Sequence, residues 1–127
     1  MKEVFTTNEP ITILVAEDEE FNYFFIKEAP ANKNITIIRA INGLEAIECC
    51  KSIHIDLVLM DLKMPVMDGF EATRIIKSSL PELHIVAQTA YTHHKDQAIE
   101  CGCNDFISKP LNRDLLWSII NKQFPGH

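Results

Sequence analysis

Acidic, hydroxyl and basic side chains follow the apolar segments of this sequence, each at the point where a segment ends. Glu17 and Asp18 follow the first segment, Asp61 the third, Thr89 the fourth and Lys109 the fifth. Three carboxylates that meet in one pocket repel one another unless a cation neutralises them, and oxygen ligands suit Mg²⁺. A carboxylate held there could attack phosphorus and form an acyl phosphate, while an ammonium and a hydroxyl bind the phosphoryl oxygens. These residue types predict a Mg²⁺-dependent site for a phosphoryl group.

The segments themselves alternate between strand and helix patterns. The strand-like segments are residues 11–16, 35–38, 57–60, 85–87 and 106–107, and the helical segments are residues 19–29, 43–52, 69–79, 94–101 and 112–123. Short strands that are apolar on both faces are typical of a parallel sheet covered by helices on both sides. The sequence therefore predicts an α/β domain with a doubly wound, five-stranded parallel sheet and five helices. Ligands of such domains bind beyond the carboxyl ends of the strands, where strands one and three would be neighbours.

The composition is that of one ordinary globular domain of 127 residues. We place the domain at residues 11–124, between an N-terminal extension (1–10) and a C-terminal tail (125–127). The net charge of −6 argues against direct binding to nucleic acid or to an anionic membrane. Because no apolar run approaches the roughly 18–20 residues of a membrane span, and no signal-peptide core is present, we expect a cytoplasmic location. The spacing of the four cysteines suits neither zinc nor redox motifs, so reduced thiols are expected at Cys49, Cys50, Cys101 and Cys103.

Any single acid after a strand has a simpler structural explanation. Asp and Glu often cap the following helix or lie in its first turn, and Asp18 could serve as such a cap. The combination of two adjacent acids, a third acid, a hydroxyl and a Lys-Pro pair is much harder to explain in this way. The joint pattern therefore favours a site over five separate structural residues.

Four segments carry a resemblance to a known family. They are residues 15–18 (VAED), 57–69 (LVLMDLKMPVMDG), 89–90 (TA) and 106–110 (FISKP). Together they resemble the receiver, or response-regulator, domain of two-component signalling, over about residues 12–123. The resemblance implies the flavodoxin-like or CheY-like fold with strand order 2-1-3-4-5. Residues 61–73 and 102–110 are most similar to receivers attached to hybrid sensor histidine kinases.

The resemblance also implies a role for each site residue. Asp61 would be phosphorylated by a phosphohistidine of a histidine kinase or a histidine phosphotransfer partner. Asp18, Asp61 and the backbone carbonyl of Lys63 would bind Mg²⁺ directly, and Glu17 would act through a metal-bound water. Many relatives have Asp where Glu17 stands. Lys109 would pair with the phosphoryl oxygens. The domain would catalyse only its own phosphorylation and dephosphorylation, so we do not expect a separate enzyme activity.

Thr89 and Phe106 match the two switch positions of the family. Thr89 would move toward the phosphoryl group and Phe106 would turn inward, which would repack the face made by the fourth helix, fifth strand and fifth helix. A homodimer could form through that face. The Lys109-Pro110 bond resembles one that is usually cis in these domains. Trp117 in the last helix is expected in the packed or dimer-forming face.

Other residues suggest roles beyond these motifs. Phe21 and Phe24 either help dock a histidine phosphotransfer partner or cover the edge of the sheet, whereas Phe25, Ile26 and Ala29 are expected to be buried. Lys63 and Tyr91 either crowd the path of a hydrolytic water, which would slow self-dephosphorylation, or are plain surface residues. His93 and His94 are expected at a solvated helix start.

Three alternative functions compete with the phosphorylated switch. A flavodoxin-like nucleotide or flavin binder is disfavoured because the four glycines are not clustered into a phosphate loop. A metal-dependent phosphatase usually needs another acid where Lys63 stands. A pseudo-receiver module that binds partners without phosphorylation is disfavoured because all five pocket residues are present. A stand-alone receiver is the alternative to a module of a larger kinase, and the hybrid-like motifs favour the module. The sequence most favours a phosphorelay receiver that is part of a hybrid kinase.

Overall fold

The computed structural model describes residues 10–28 and 34–125. The predicted extension (1–10) and tail (125–127) lie outside the described residues apart from Pro10 and Pro125. The predicted end of the first helix at Ala29 and Pro30 also lies outside them. No described helix is long and apolar enough to cross a bilayer.

Five strands and five helices alternate along the described chain. The strands are β1 (Ile11–Ala16), β2 (Ile35–Ala40), β3 (Leu57–Asp61), β4 (His84–Thr89) and β5 (Asp105–Ser108), and the helices are α1 (Glu20–Glu28), α2 (Gly43–Ser52), α3 (Gly69–Ser79), α4 (Lys95–Glu100) and α5 (Arg113–Gln123). The strands form one parallel sheet in the order β2-β1-β3-β4-β5. The predicted doubly wound fold is confirmed.

Apolar side chains cover both faces of the sheet. On one face Leu14, Val58 and Met60 pack with Ile76 of α3. On the other face Ile13, Val15 and Leu59 pack with Ile26 of α1 and with Leu116 and Ile120 of α5. Every residue of β3 is buried, which explains the continuous apolar sequence of residues 57–60. Full burial of each large aliphatic side chain contributes about 1.5–3 kcal/mol, so the sheet is a rigid platform for residues at its edge.

The helices that follow β2, β3 and β5 begin at capped N-termini. The side chains of Asn42, Asp68 and Asn112 each accept a hydrogen bond from the backbone N–H three residues later. Gly69 opens α3 directly against β3, where its N–H donates to the Leu62 carbonyl over 3.1 Å. A Cβ atom at position 69 would collide with the Asp61 carbonyl oxygen. The glycine therefore permits α3 to start beside the end of β3.

Two predicted side-chain environments differ from the structure. Ile26 is buried as expected, but Phe25 is 42% exposed because only Ile26 of α1 enters the core fully. His93 is exposed as predicted. His94 is half-buried, because a 3-10 turn (Thr92–His94) precedes α4 and packs its ring edge-on against Phe70, with ring centroids 5.4 Å apart.

Candidate functional site

The three predicted carboxylates lie together at the carboxyl edge of the sheet. β1 and β3 are neighbours in register, with Ala16 opposite Met60, so Asp61 at the end of β3 lies beside the residues that follow β1. Glu17, Asp18 and Asp61 each offer a carboxylate oxygen, and these atoms lie within 4.8 Å of one another. Glu17 is fully buried and Asp61 is 4% exposed, whereas Asp18 is exposed. Two of the charges are thus held at one end of the sheet with little access to water.

Lys109 is the cation that faces this cluster. Its Nζ lies 3.0 Å from Asp61 Oδ2 and 3.1 Å from Glu17 Oε1. The following peptide bond, Lys109-Pro110, is cis. Although it lies near Lys109, Glu17 Oε1 is buried and makes no hydrogen bond with a described residue. One ammonium is therefore shared between two buried carboxylates, and one carboxylate oxygen has no hydrogen-bond donor.

The burial and crowding of these groups shift their protonation. Burial, together with the nearby Asp61 carboxylate, raises the pKa of Glu17 to about 7 from an ordinary value of 4.5, against the opposing effect of Lys109. Burial lowers the pKa of Lys109, but its contacts with Asp61 and Glu17 outweigh this effect and raise the pKa above its ordinary value. Lys109 therefore stays protonated, and Glu17 is harder to ionise than an ordinary glutamic acid.

An open cavity of about 330 Å³ lies over the cluster. It is lined by Glu17, Asp18, Glu19, Asp61, Lys63, Thr89, Ala90, Tyr91 and Lys109. The Lys63 backbone N–H donates to Asp61 Oδ1 over 3.1 Å, whereas Lys109 contacts Oδ2, so each oxygen of the carboxylate has a donor. The Lys63 Nζ lies 5.4 Å from the centre of the Tyr91 ring, so these two side chains meet at the cavity wall.

Of the remaining predicted residues, Thr89 lines the cavity, whereas Phe106, Phe21 and Phe24 do not. Thr89 is buried, and its Oγ1 accepts a hydrogen bond from the Tyr91 N–H over 3.2 Å. Phe106 is half-buried and packs against the core on the α2–α3 side. Phe21 and Phe24 stand outside the cavity on α1, 83% and 53% exposed. The structure thus places Thr89 in the cavity wall and leaves the two α1 aromatics at the surface.

Sequence reasoning missed Arg39, which contacts the backbone of the site. Its Nε donates to the Glu17 carbonyl over 3.1 Å, and one of its terminal nitrogens donates to the Asp18 carbonyl over 3.2 Å. The one signal available in the sequence was a charged residue inside the otherwise apolar segment ITIIRA. Backbone acceptors have no signature in a sequence, so the contact itself was not predictable.

The donor set fits a hard divalent cation. Carboxylate oxygens of the kind found here are the ligands that Mg²⁺ prefers, and the exposed Asp18 and the open cavity leave room for the waters that Mg²⁺ retains. Glu17 Oε1 is buried without a hydrogen bond, so it is free to accept one from a further donor such as a cation-bound water. Chemically, the arrangement can hold a cation beside a buried carboxylate that faces an open cavity.

A family model for the response regulator receiver domain matches residues 13–121. The chain belongs to this family. Among its relatives, the hybrid signal transduction protein dokA of Dictyostelium discoideum is 39% identical over 112 residues, which cover 86% of this chain and 7% of that protein. The receiver domain described here therefore spans less than a tenth of the length of that relative.

Two solved receiver domains have the same fold as this receiver. One belongs to a sensor histidine kinase of Pseudomonas aeruginosa PAO1 and has a magnesium ion coordinated in its active site cleft. It is 27% identical, with a TM-score of 0.84 over 91% of this chain and 98% of that one. The other belongs to a Saccharomyces cerevisiae response regulator and was solved with a histidine phosphotransfer protein. It is 29% identical, with a TM-score of 0.83 over 91% of this chain and 89% of that one. The family predicted from the four sequence segments is confirmed.

Proposed function

We propose that this receiver accepts a phosphoryl group on Asp61 from a phosphohistidine in a Mg²⁺-dependent reaction. The observation that carries the proposal is the setting of Asp61: a nearly buried carboxylate held by Lys109 and by the Lys63 N–H, within reach of two more carboxylates and open to a cavity. A structural ion pair would account for Lys109 and Asp61 alone. It does not account for three carboxylates converging on the same cavity.

The phosphoryl transfer would be a displacement at phosphorus. An Asp61 carboxylate oxygen forms the new P–O bond while the P–N bond of the phosphohistidine breaks, and the imidazole leaves with its electron pair. Asp18, Asp61 and the Lys63 carbonyl would hold Mg²⁺, with Glu17 acting through a water, and the ion would supply neutralisation of phosphoryl charge. Lys109 would bind a phosphoryl oxygen, moving from its present contact with Asp61. Thr89 would donate its hydroxyl to another oxygen.

The partner would be a histidine kinase or a histidine phosphotransfer domain. The support is the yeast relative, which was solved with a histidine phosphotransfer protein, and the exposed aromatic pair on α1. Phe21 and Phe24 would contact that partner, because α1 begins two residues after Asp18 and so borders the cavity. The similarity to dokA supports a place within a hybrid phosphorelay protein.

The signalling response to phosphorylation would follow from a rearrangement around Thr89. Its hydroxyl would leave the Tyr91 N–H for the phosphoryl group, and Phe106 on the neighbouring strand would repack. The phosphoryl contacts would thereby shift the population of the α4, β5 and α5 face between two arrangements. A homodimer through that face is part of the same proposal.

Intact-mass spectrometry with a small phosphodonor tests the central step. Wild type, Asp61→Asn and the control Asp114→Asn, an exposed residue of α5, are incubated with and without Mg²⁺. We expect one phosphoryl adduct in wild type and in the control, dependent on Mg²⁺ and absent from Asp61→Asn. Lack of any adduct with the small donor and with a phosphorylated histidine phosphotransfer protein would favour a pseudo-receiver. An adduct that persists in Asp61→Asn would place the acceptor elsewhere.

A further inference from the structure

Arg39 lies on the edge strand β2, yet its side chain is only 21% exposed. Arg39 is opposite Val15 in the register with β1. Side chains alternate along a strand, so Arg39 points to the same face as Ile35 and Ile37, which pack on the α1 and α5 side of the sheet. The guanidinium therefore lies under α1, next to the turn that connects β1 to α1.

The guanidinium spans two successive backbone carbonyls of that turn. The ladder between β1 and β2 ends with the Glu17 N–H donating to the Ala40 carbonyl over 2.9 Å. Beyond that bond, the carbonyls of Glu17 and Asp18 accept from two different nitrogens of Arg39, over 3.1 and 3.2 Å. The planar, multiply donating guanidinium suits this arrangement, because one rigid group can bond two acceptors at once.

The guanidinium is itself held by α1. Its central carbon lies 4.8 Å from the centre of the Tyr23 ring, and a terminal nitrogen lies 3.9 Å from Glu20 Oε2. The stack on Tyr23 adds an attraction between cation and ring, and it limits the rotation of the side chain. Arg39 thus joins β2, the turn and the first helical residues into one unit.

Those two carbonyls belong to the residues whose carboxylates face Asp61. The carboxylates repel one another, and burial of Glu17 adds to the cost of the arrangement. A turn free to rotate would relieve the repulsion by moving the Asp18 carboxylate away from Glu17 and Asp61. Two hydrogen bonds from Arg39 to the backbone of the turn oppose that rotation.

We propose that Arg39 is a positioning residue for the cation site, because it fixes the backbone from which Glu17 and Asp18 reach the metal. The inference rests on the proposed function, namely that these carboxylates hold Mg²⁺. Outer groups that orient metal ligands typically change metal affinity by about 10–100-fold when removed. We expect an effect at the lower end of that range, because Asp61 is held independently by Lys63 and Lys109.

The sign of the effect separates positioning from simple electrostatics. A positive charge near a cation site repels the cation, so loss of the Arg39 charge alone would tighten Mg²⁺ binding. Loss of a positioning residue weakens it. A purely structural role would lower the unfolding temperature and leave the affinity of the folded protein unchanged.

The experiment is calorimetric titration of Mg²⁺ into four proteins: wild type, Arg39→Met, Arg39→Lys and the control Arg74→Met. The unfolding temperature of each protein is first measured in chelator, and the titrations are run well below it. Arg74 carries the same charge in an exposed ion pair with Glu71 and does not line the cavity. We expect about tenfold weaker binding for Arg39→Met and no loss for the control. Arg39→Lys should lose less, because it keeps the charge but offers one flexible nitrogen in place of two nitrogens in a rigid plane. The Arg39→Lys variant decides the question if Arg39→Met does not fold.

Two results would overturn the inference, and they are distinguishable. Equal or tighter binding by the Arg39 variants, with normal binding by wild type, contradicts the positioning role and leaves the proposed function intact. No Mg²⁺ binding by wild type contradicts the metal site itself, and the inference with it.

Discussion

The Lys109 ammonium lies 3.0 Å from Asp61 Oδ2 and also contacts Glu17 Oε1, so one cation balances two buried carboxylates. Divalent metal would add a second cation to the same group of charges. Removal of Lys109 should therefore destabilise the metal-free domain far more than it destabilises the metal-bound domain.

The first prediction concerns the loss of this ammonium. In Lys109→Met the two carboxylates lose their cation, and we expect the free energy of unfolding to fall by about 1–3 kcal/mol without metal. Because Mg²⁺ replaces part of the missing charge, its addition should stabilise the variant more than wild type. Urea unfolding with and without Mg²⁺ measures both effects. Lys122→Met, which removes an exposed ion pair with Asp105, is the control, and equal Mg²⁺ increments in all three proteins would contradict the prediction.

The second prediction concerns pH. The folded state raises the pKa of Glu17 to about 7 from 4.5, so it binds a proton more tightly than the unfolded state does. In metal-free protein this group therefore removes stability as pH rises between those two values. Glu17→Gln cannot ionise, and we expect its stability relative to wild type to rise by on the order of 1–3 kcal/mol between pH 5 and pH 8. Urea unfolding in chelator at both pH values measures the difference, and a difference independent of pH would contradict the raised pKa.

The third prediction concerns the lifetime of the phosphoryl group. Lys63 and Tyr91 meet at the cavity wall. We predict that they crowd the path of an attacking water. Tyr91→Ala should shorten the lifetime of the phosphoryl group by about two- to fivefold. This factor corresponds to the free energy of one cation–ring contact, which the substitution removes. Loss of label from the isolated phosphorylated domain provides the measurement. Tyr91→Phe keeps the ring and should behave like wild type, whereas an unchanged lifetime in Tyr91→Ala would indicate that both residues are plain surface residues.

The fourth prediction concerns the exposed aromatic on α1. Phe21 is 83% exposed, so Phe21→Ala should change the stability of the domain by less than about 0.5 kcal/mol. If Phe21 docks the phosphotransfer partner, kcat/KM for transfer from that partner should fall by at least about fivefold. Labelling by a small phosphodonor should be unchanged. Ile99→Ala, an exposed apolar residue of α4, is the matched control, and equal losses in both assays would refute docking through Phe21.

The fifth prediction concerns the start of α3. A methyl group at position 69 would collide with the Asp61 backbone, which the sheet prevents from moving. Gly69→Ala should therefore cost about 1–3 kcal/mol of unfolding free energy, despite the higher helix propensity of alanine. Ser79→Ala, at the exposed far end of the same helix, should have little effect. Thermal unfolding of the two variants is the measurement, and a Gly69→Ala variant as stable as wild type would show that α3 can shift.

Alternation of apolar segments was sufficient to predict the sheet, its strand number and its helices. The predicted strands were too short where polar residues continue the backbone hydrogen bonding of the sheet. For example, β4 runs from His84 to Thr89, whereas only residues 85–87 are apolar enough to predict a strand. Backbone pairing, and not side-chain polarity, sets those ends. Strand ends are also where the site lies, which is why its carboxylates could be predicted from their positions alone.

The unpredicted features depend on contacts between elements. Phe25 differs from Ile26 in burial because the rotation of α1 on the sheet is fixed by packing. His94 packs against Phe70 because a 3-10 turn redirects the chain before α4. Arg39 bonds to carbonyl groups that every residue possesses. No local pattern in the sequence distinguishes these arrangements from their alternatives.

The contact between Lys109 and Glu17 joins residues that are 92 positions apart. A ribosome must therefore complete almost the whole domain before the acidic cluster acquires its counter-charge. Competence to accept a phosphoryl group would thus arise late in synthesis, when β5 docks on β4, and a chain truncated before β5 would remain silent in a relay.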